Sequence, residues 1–471
     1  MTTIVIISII GFFCLVAELL NFRKYLPYLV SLALLSSIIS EFLYQDNNTI
    51  LWGIPSGDTF FNRMIAIDMP GTIFSVLLII ITAVFTYLGA RFYREKLSKM
   101  SDYMAVMVFT LVGALLMAQF NNFSVLFLGI ETLSISLYIL AASDTKNIFS
   151  IESGLKYFLM GSFATGFLLM GITMVYGVTG SFDLQHIRDF LISNESNAIL
   201  WVGVFLILVS MLFKAALVPF HFWAPDVYSG SPMLVTGYMA TLAKVAIIAA
   251  MLRFFSFGFF PLFDQIIPIL IIIVILTLVI SNITGIKQEY FRRIMAYSGI
   301  SNAGFMVLGL IASRPGYSLS TSLIYYIIAY VCANIVLFSG ALLVQEWKDG
   351  DKVVHFNGLA KKYPMASLCM ALALLSLAGI PPLGGFWGKY FILLQTIEQG
   401  YLYLAILAIL ASIVSLFYYF KLIYAMYTGE ERTALPVVNN RKFYVWIMLF
   451  FTVVIISIGL MPDIITRYLG Q

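Results

Sequence analysis

Apolar runs of about 20 residues follow one another along almost the whole chain, separated by short polar breaks, and this pattern predicts membrane-crossing helices. Walking from break to break gives fourteen of them, near 3–20, 25–44, 70–92, 103–119, 121–141, 153–178, 198–228, 233–255, 262–286, 290–312, 318–346, 363–398, 402–427 and 440–460. Two are too long for one straight crossing. Residues 198–228 and 363–398 would extend about 46 and about 54 Å at roughly 1.5 Å per residue, against a hydrocarbon core of roughly 30 Å. The first contains Pro219 and Pro225, the second Gly379, Pro381, Pro382, Gly384 and Gly385, so each loses backbone hydrogen bonds near mid-membrane and is expected to be discontinuous. They are the seventh and twelfth helices and so run in opposite directions. Broken helices of opposite orientation point to inverted repeats, helices four to eight and nine to thirteen; the alternative is two unrelated proline kinks. The expected fold class is an all-α integral membrane protein. Its segments are an N-terminal three-helix segment 1–100, a first repeat 101–258, an inverted second repeat 259–430 and a C-terminal helix 431–471.

Composition sharpens this. Of 471 residues 61% are hydrophobic and 11% charged, against roughly 25% charged in a soluble domain, so no large extramembrane domain fits and the chemistry belongs inside the membrane. If the helices alternate, seventeen Lys and Arg residues fall in or beside odd-numbered loops, among them Arg23, Lys24, Arg91, Arg94, Lys96, Lys99, Lys146, Arg292, Lys348 and Arg432. Five fall on the other side: Arg63, Arg188, Arg253, Arg314 and Arg467. Positive residues are held on the cytoplasmic side, which places both termini outside and the segment 46–58 with them. No basic run suggests nucleic acid. Cys14, Cys332 and Cys369 are isolated, and no Gly-rich nucleotide loop or metal-ligating spacing occurs. The chain is therefore expected to bind no haem, iron–sulfur cluster, flavin or nucleotide. The apolar run Met1–Leu20 has no basic residue before it, so it reads as a retained helix and not as a signal peptide.

Five lysines remain inside the predicted helices: Lys156, Lys214, Lys244, Lys389 and Lys421. A charge at a helix centre costs about 2.5–3.5 kcal/mol on insertion scales, so a lysine kept there faces a cavity, a partner or a proton path. Lys214 and Lys389 sit beside the two breaks, Lys244 near the middle of helix eight, and Glu131 at the centre of helix five. Lysine suits proton handling because burial lowers its proton affinity in general while a neighbouring acid raises it again. Glu131 with Lys214 is the expected pair; the alternative is a static buried ion pair. For Lys244 the alternative to a proton carrier is a packing lysine. Lys156, four residues after Glu152, is either a relay or an interfacial helix pair, and His221 is either a relay or a donor to carbonyls freed by the prolines. Lys421 is expected to snorkel, and His186 and His355 to lie in loops.

The run FKAALVPFHFWAPDVY over residues 213–228, closed by SGSP, closely resembles the helix-seven signature of the antiporter-like subunits of respiratory complex I. Supporting runs are GIET over 129–132, LKYFL over 155–159, AYSGIS over 296–301 and LAGIPPLGGFWGK over 377–389. The length and the Lys156 run are more similar to the N type of that family than to the L or M types. The resemblance implies that NADH-to-quinone electron transfer elsewhere in a complex drives proton translocation here, in a bacterial inner membrane. It implies Glu131 as the charge-modulating acid, Lys214 as its lysine, Lys244 as the central lysine and Lys389 as the lysine of the exit half. No histidine lies in helices eight to twelve, so hydroxyls such as Tyr297, Ser298 and Ser301, or waters, are expected to bridge Lys244 to Lys389. NAD, FMN, iron–sulfur clusters and quinone are implied in partner membrane-arm and peripheral-arm subunits, with none bound by this chain. The rival reading is a subunit of a multisubunit cation/proton antiporter.

Overall fold

The computed structural model describes residues 2–17, 25–45, 64–93, 99–195, 197–314, 321–345, 350–429 and 441–463. Of the positions used above for topology, Arg23, Lys24, Arg63, Arg94, Lys96, Lys348, Arg432, Arg467 and the segment 46–58 lie outside the described residues. In chain order the helices are α1 Thr2–Val16, α2 Leu26–Gln45, α3 Met69–Phe92, α4 Met100–Gln119, α5 Phe123–Ala141, α6 Ile148–Thr179, α7 Leu184–Ser193, α8 Ala198–Lys214 and α9 Trp223–Gly230. They continue with α10 Met233–Gly258, α11 Phe263–Ile286, α12 Phe291–Ser313, α13 Thr321–Gln345, α14 Pro364–Ala378, α15 Gly384–Glu398, α16 Leu402–Thr428 and α17 Arg441–Leu460. Among the described residues ten helices are long and apolar enough to cross a membrane, with Thr3–Val16, Leu26–Glu41, Ala198–Lys214 and Pro364–Ala378 as shorter apolar helices.

The polar breaks work as helix caps. Asn122, Asn147 and Asn197 each accept a hydrogen bond from the first turn of α5, α6 and α8, satisfying amides that an apolar environment would leave bare. Asp68 caps α3 in the same way, and both its carboxylate oxygens accept from Arg253 Nη1 of α10, at 2.9 and 2.8 Å. The segment holding His186 and Arg188, expected as loop, is the short amphipathic helix α7. Asp183 caps it and Leu184, Ile187 and Leu191 are buried, a one-sided pattern too short to stand out among membrane runs. His355 lies in a single 3-10 turn, Val353–Phe356.

The chain forms two compact units. Unit 1 comprises Met1–Ala215 and Gly230–Ile266, unit 2 Ala216–Ser229 and Ile267–Gln471. In unit 1, α4 and α5 cross closely at Gly113, where a Cβ would stand 2.4 Å from the Leu133 amide nitrogen, and this contact draws the Glu131 turn of α5 against the core. In unit 2, α12 and α13 are almost wholly buried, while α16 shows one face outward through Ile406, Ile409, Leu410, Ile413 and Phe417. Both over-long spans are broken as expected: α8 gives way to α9 across 215–222, and α14 to α15 across 379–383.

Candidate functional site

In unit 1, α8 ends on Lys214, which is 8% exposed. Its ammonium donates to Ser134 Oγ at 2.7 Å and to the Tyr138 hydroxyl at 3.2 Å. Glu131, Ser134 and Tyr138 stand at i, i+3 and i+7 on one stripe of α5, so the helix presents an acid and two hydroxyls in a row. The Glu131 carboxylate accepts from Thr165 Oγ1 of α6 at 2.7 Å. The expected Glu131–Lys214 pair is thus not a contact ion pair within 4 Å: Ser134 receives the ammonium and Thr165 serves the acid. A small cavity bounded by Ile130, Leu133, Ser134, Tyr157 and Ile247 leads to Lys214.

Lys244 is 3% exposed and follows a π-helical turn, Met239–Ala243, a local widening that recurs at functional positions. Its ammonium donates to the carbonyl of Ala215, the residue after Lys214. Two lysines therefore converge on the break from different helices. The next residue, Ala216, has φ 55°, a left-handed backbone that costs a non-glycine residue about 1 kcal/mol.

In unit 2 the amide of Val218, freed at the first break, donates to Thr277 Oγ1 of α11 at 3.1 Å. His221 is buried in the same stretch, its ring 4.3 Å from that of Phe222. At the second break Lys389, 6% exposed, donates to the Ala378 carbonyl at 3.3 Å and to Ser412 Oγ of α16 at 3.1 Å, and its ammonium lies 4.6 Å from the Phe305 ring centre. It forms the floor of a side cavity of about 310 Å³ walled by Phe386, Tyr390, Ile409 and Ile413. Gly379, at φ 86°, makes room for it, since a Cβ there would stand 3.0 Å from Lys389 Cδ.

The remaining expected residues separate. Lys156 is paired with Glu152 at 2.8 Å on an exposed face of α6, apart from the buried set, although its neighbour Tyr157 lines the Lys214 cavity. Lys421 donates to the carbonyl of Gln288 at 2.8 Å. Ser298 and Ser301 are buried and hydrogen-bonded, to Tyr419 and Asn282, while Tyr297 is half-buried. Sequence reasoning missed Ser134, Tyr138 and Thr165 as the partners of Lys214 and Glu131, and Ser412 as that of Lys389. The hydroxyl stripe on α5 was the available signal.

Two of the buried lysines, Lys244 and Lys389, are thus set against carbonyls freed where apolar helices break. The family described as NADH:quinone oxidoreductase/Mrp antiporter, transmembrane, matches residues 121–415, and the chain belongs to that family. NADH-quinone oxidoreductase subunit N of Flavobacterium psychrophilum is 41% identical over 469 residues, covering 100% of both chains. A chain of respiratory complex I from Thermus thermophilus superposes with a TM-score of 0.80 at 28% identity, covering 99% of this chain and 98% of that one. A chain of the Mrp complex from Dietzia sp. DQ12-45-1b has a TM-score of 0.79 at 18% identity over 98% of this chain and 94% of its own length, a likeness of fold alone.

Proposed function

We propose that this chain is a proton-translocating membrane-arm subunit of an NADH:quinone oxidoreductase, moving protons while electrons pass from NADH to quinone in other subunits. The observation that carries the reading is that Lys214, Lys244 and Lys389 are all buried and bonded to neutral oxygens beside helix breaks. An ammonium held by hydroxyls and carbonyls can release its proton without stranding a buried carboxylate, which a contact ion pair cannot do. In this reading Glu131 modulates Lys214 across Ser134, Lys244 is the central carrier, Lys389 serves the exit half, and His221, Tyr297, Ser298 and Ser301 relay, with Lys156 an outlying contributor. The fourteen crossings form two inverted five-helix repeats within the four segments named above, with both termini on the outer side of a bacterial inner membrane. Cysteines placed at Thr145 and Ser193 should then be labelled from opposite sides.

NAD, FMN, iron–sulfur clusters and quinone belong to partner subunits of the membrane and peripheral arms. In this reading the driving energy comes from those partners. The rival antiporter reading shares the fold at 18% identity, against 41% over the full length for the subunit N relative. Capturing the tagged chain from mildly solubilised membranes should recover NADH dehydrogenase activity and iron–sulfur subunits. Recovery of small membrane proteins only, in vesicles that exchange Na⁺ for H⁺ without NADH, would move the assignment to the antiporter.

A further inference from the structure

Unit 2 contains a polar assembly that the Lys389 contacts do not use. Ser298 Oγ of α12 meets the Tyr419 hydroxyl of α16 at 2.6 Å, Asn302 Nδ2 donates to Ser298 Oγ at 3.2 Å, and the Tyr326 hydroxyl of α13 donates to Asn302 Oδ1 at 2.7 Å. Alongside, the Tyr418 hydroxyl donates to Asn282 Oδ1 at 2.9 Å and Asn282 Nδ2 donates to Ser301 Oγ at 2.9 Å. All of these side chains are buried.

The helix registers show where the assembly leads. From the Ser298–Tyr419 contact, α12 climbs seven residues to Phe305 and α16 runs back seven to Ser412, the two residues that touch the Lys389 ammonium. Both helices therefore place Lys389 about 10 Å along the axis from that contact. Ser415 lies between, its hydroxyl on the Ser412 carbonyl at 2.6 Å. In the other direction Ser298 is seven residues from the start of α12, about 10 Å again. Half-buried Tyr297 is the residue next to Ser298, and one turn nearer the helix start is Arg293, which pairs with Asp226 at 3.0 Å, both more than a third exposed. Beyond Lys389, 306–312 of α12 and 404–411 of α16 hold no polar side chain, while α15 carries buried Thr396 as well as Gln395, which accepts from Ser322 Oγ of α13 at 2.6 Å.

We propose that this stripe is a loading route that carries protons from the Arg293 end of α12 to Lys389. It rests on the proton-translocation reading above. A proton taken up beside Asp226, Arg293 and Tyr297 moves as O–H bonds break and re-form along Tyr419, Ser298 and bridging waters. It ends as the third N–H of the Lys389 amine, and each hydroxyl, having taken one proton and released another, then rotates back to its starting orientation. Asparagine donates through nitrogen and accepts through oxygen, so it cannot take up a proton at one atom and release it at the other without tautomerising. Asn282 and Asn302 are therefore positioning residues that aim the hydroxyls.

The test uses the intact complex in proteoliposomes, with Tyr419→Phe and Ser298→Ala, each of which removes one hydroxyl and little else. The rate of lumen acidification per NADH oxidised should fall about twofold, since water replaces a fixed relay group imperfectly, and Ser298→Thr should restore it. Adding Tyr419→Phe to Lys389→Ala should cause no further loss. Wild-type acidification in Tyr419→Phe and Ser298→Ala, with Lys389→Ala impaired, overturns the route but leaves the function intact. Additive losses in the double variant also overturn it, because the hydroxyls would then act apart from Lys389. Normal acidification in Lys389→Ala itself instead counts against the functional reading. Should Tyr419→Phe fail to assemble, the Ser298→Ala and Ser298→Thr pair decides.

Discussion

At the end of α8 the freed carbonyl of Ala215 is taken by Lys244, a residue of another helix, whereas at the end of α14 the carbonyl of Ala378 is taken by Lys389, from the second half of the same broken helix. Unit 1 also keeps a second ammonium at its break, Lys214, which turns away to Ser134 and Tyr138 on α5. Unit 2 assigns both tasks to one lysine: Lys389 satisfies the carbonyl and also meets a hydroxyl, Ser412. The turn residues differ in the same sense, Ala216 at φ 55° in the first break and Gly379 at φ 86° in the second. Under the proposed function, holding a broken helix together and handling a proton are thus separable in unit 1 and fused in unit 2.

The largest effects should come from the lysines, and they should differ in kind. Lys389→Ala is expected to lower coupled proton uptake about tenfold or more and also to lower the unfolding midpoint, because an orphaned buried carbonyl costs about 1–3 kcal/mol. Lys214→Ala should lower proton uptake comparably while leaving thermal stability nearly unchanged, since the hydroxyls it leaves can pair with each other or with water. Vesicle acidification and thermal unfolding of the purified complex measure the two readouts. Equal stability losses in both variants would erase the distinction between the units. Arginine at either position should not restore uptake, because a guanidinium keeps its proton near neutral pH.

The turn residues give the next test. Gly379→Ala adds a Cβ 3.0 Å from Lys389 Cδ at a positive φ, so it should cost about 1–2 kcal/mol and displace the lysine. Ala216→Gly removes a left-handed alanine at the corresponding place in the first break, and the relief of strain offsets the added unfolded-state entropy to within about 1 kcal/mol. A large loss on Ala216→Gly, with none on Gly379→Ala, would show that the breaks are held by something other than their backbone conformations.

Much of this was legible before any coordinates. Hydropathy located the helices because each crossing must satisfy its own backbone, and the prolines located both breaks. The lysines were visible because a charge is conspicuous in an apolar run. What could not be read was how those charges are satisfied. Serine and threonine are cheap in a membrane helix, where the hydroxyl can bond back to its own backbone, as Thr165 also does to Gly161 at 3.1 Å. Ser134 and Thr165 therefore looked like filler. The carbonyls of Ala215 and Ala378 carry no sequence signal at all. Glu131 and Lys214 attract each other in any reading from charge alone, and the interposed hydroxyls appear only when α5, α6 and α8 are packed.

The smallest expected effects separate the two sides of that arrangement. Ser134→Ala removes the nearer acceptor of Lys214 but leaves Tyr138, 3.2 Å from the ammonium, so the lysine loses one of two bonds, worth about 1 kcal/mol. Proton uptake should fall about threefold, and Ser134→Thr, which keeps the hydroxyl, should recover most of it. Thr165→Val keeps the shape and takes the single hydroxyl from Glu131, whose side chain is only partly buried. Water can reach the carboxylate there and replace the lost bond, so uptake should change by less than about twofold. If Thr165→Val proves the more damaging of the pair, the acid rather than the lysine depends on fixed hydroxyl support. Glu131 would then have to be treated as a proton-binding group in its own right, and unit 1 would lose the division of tasks that sets it apart from unit 2.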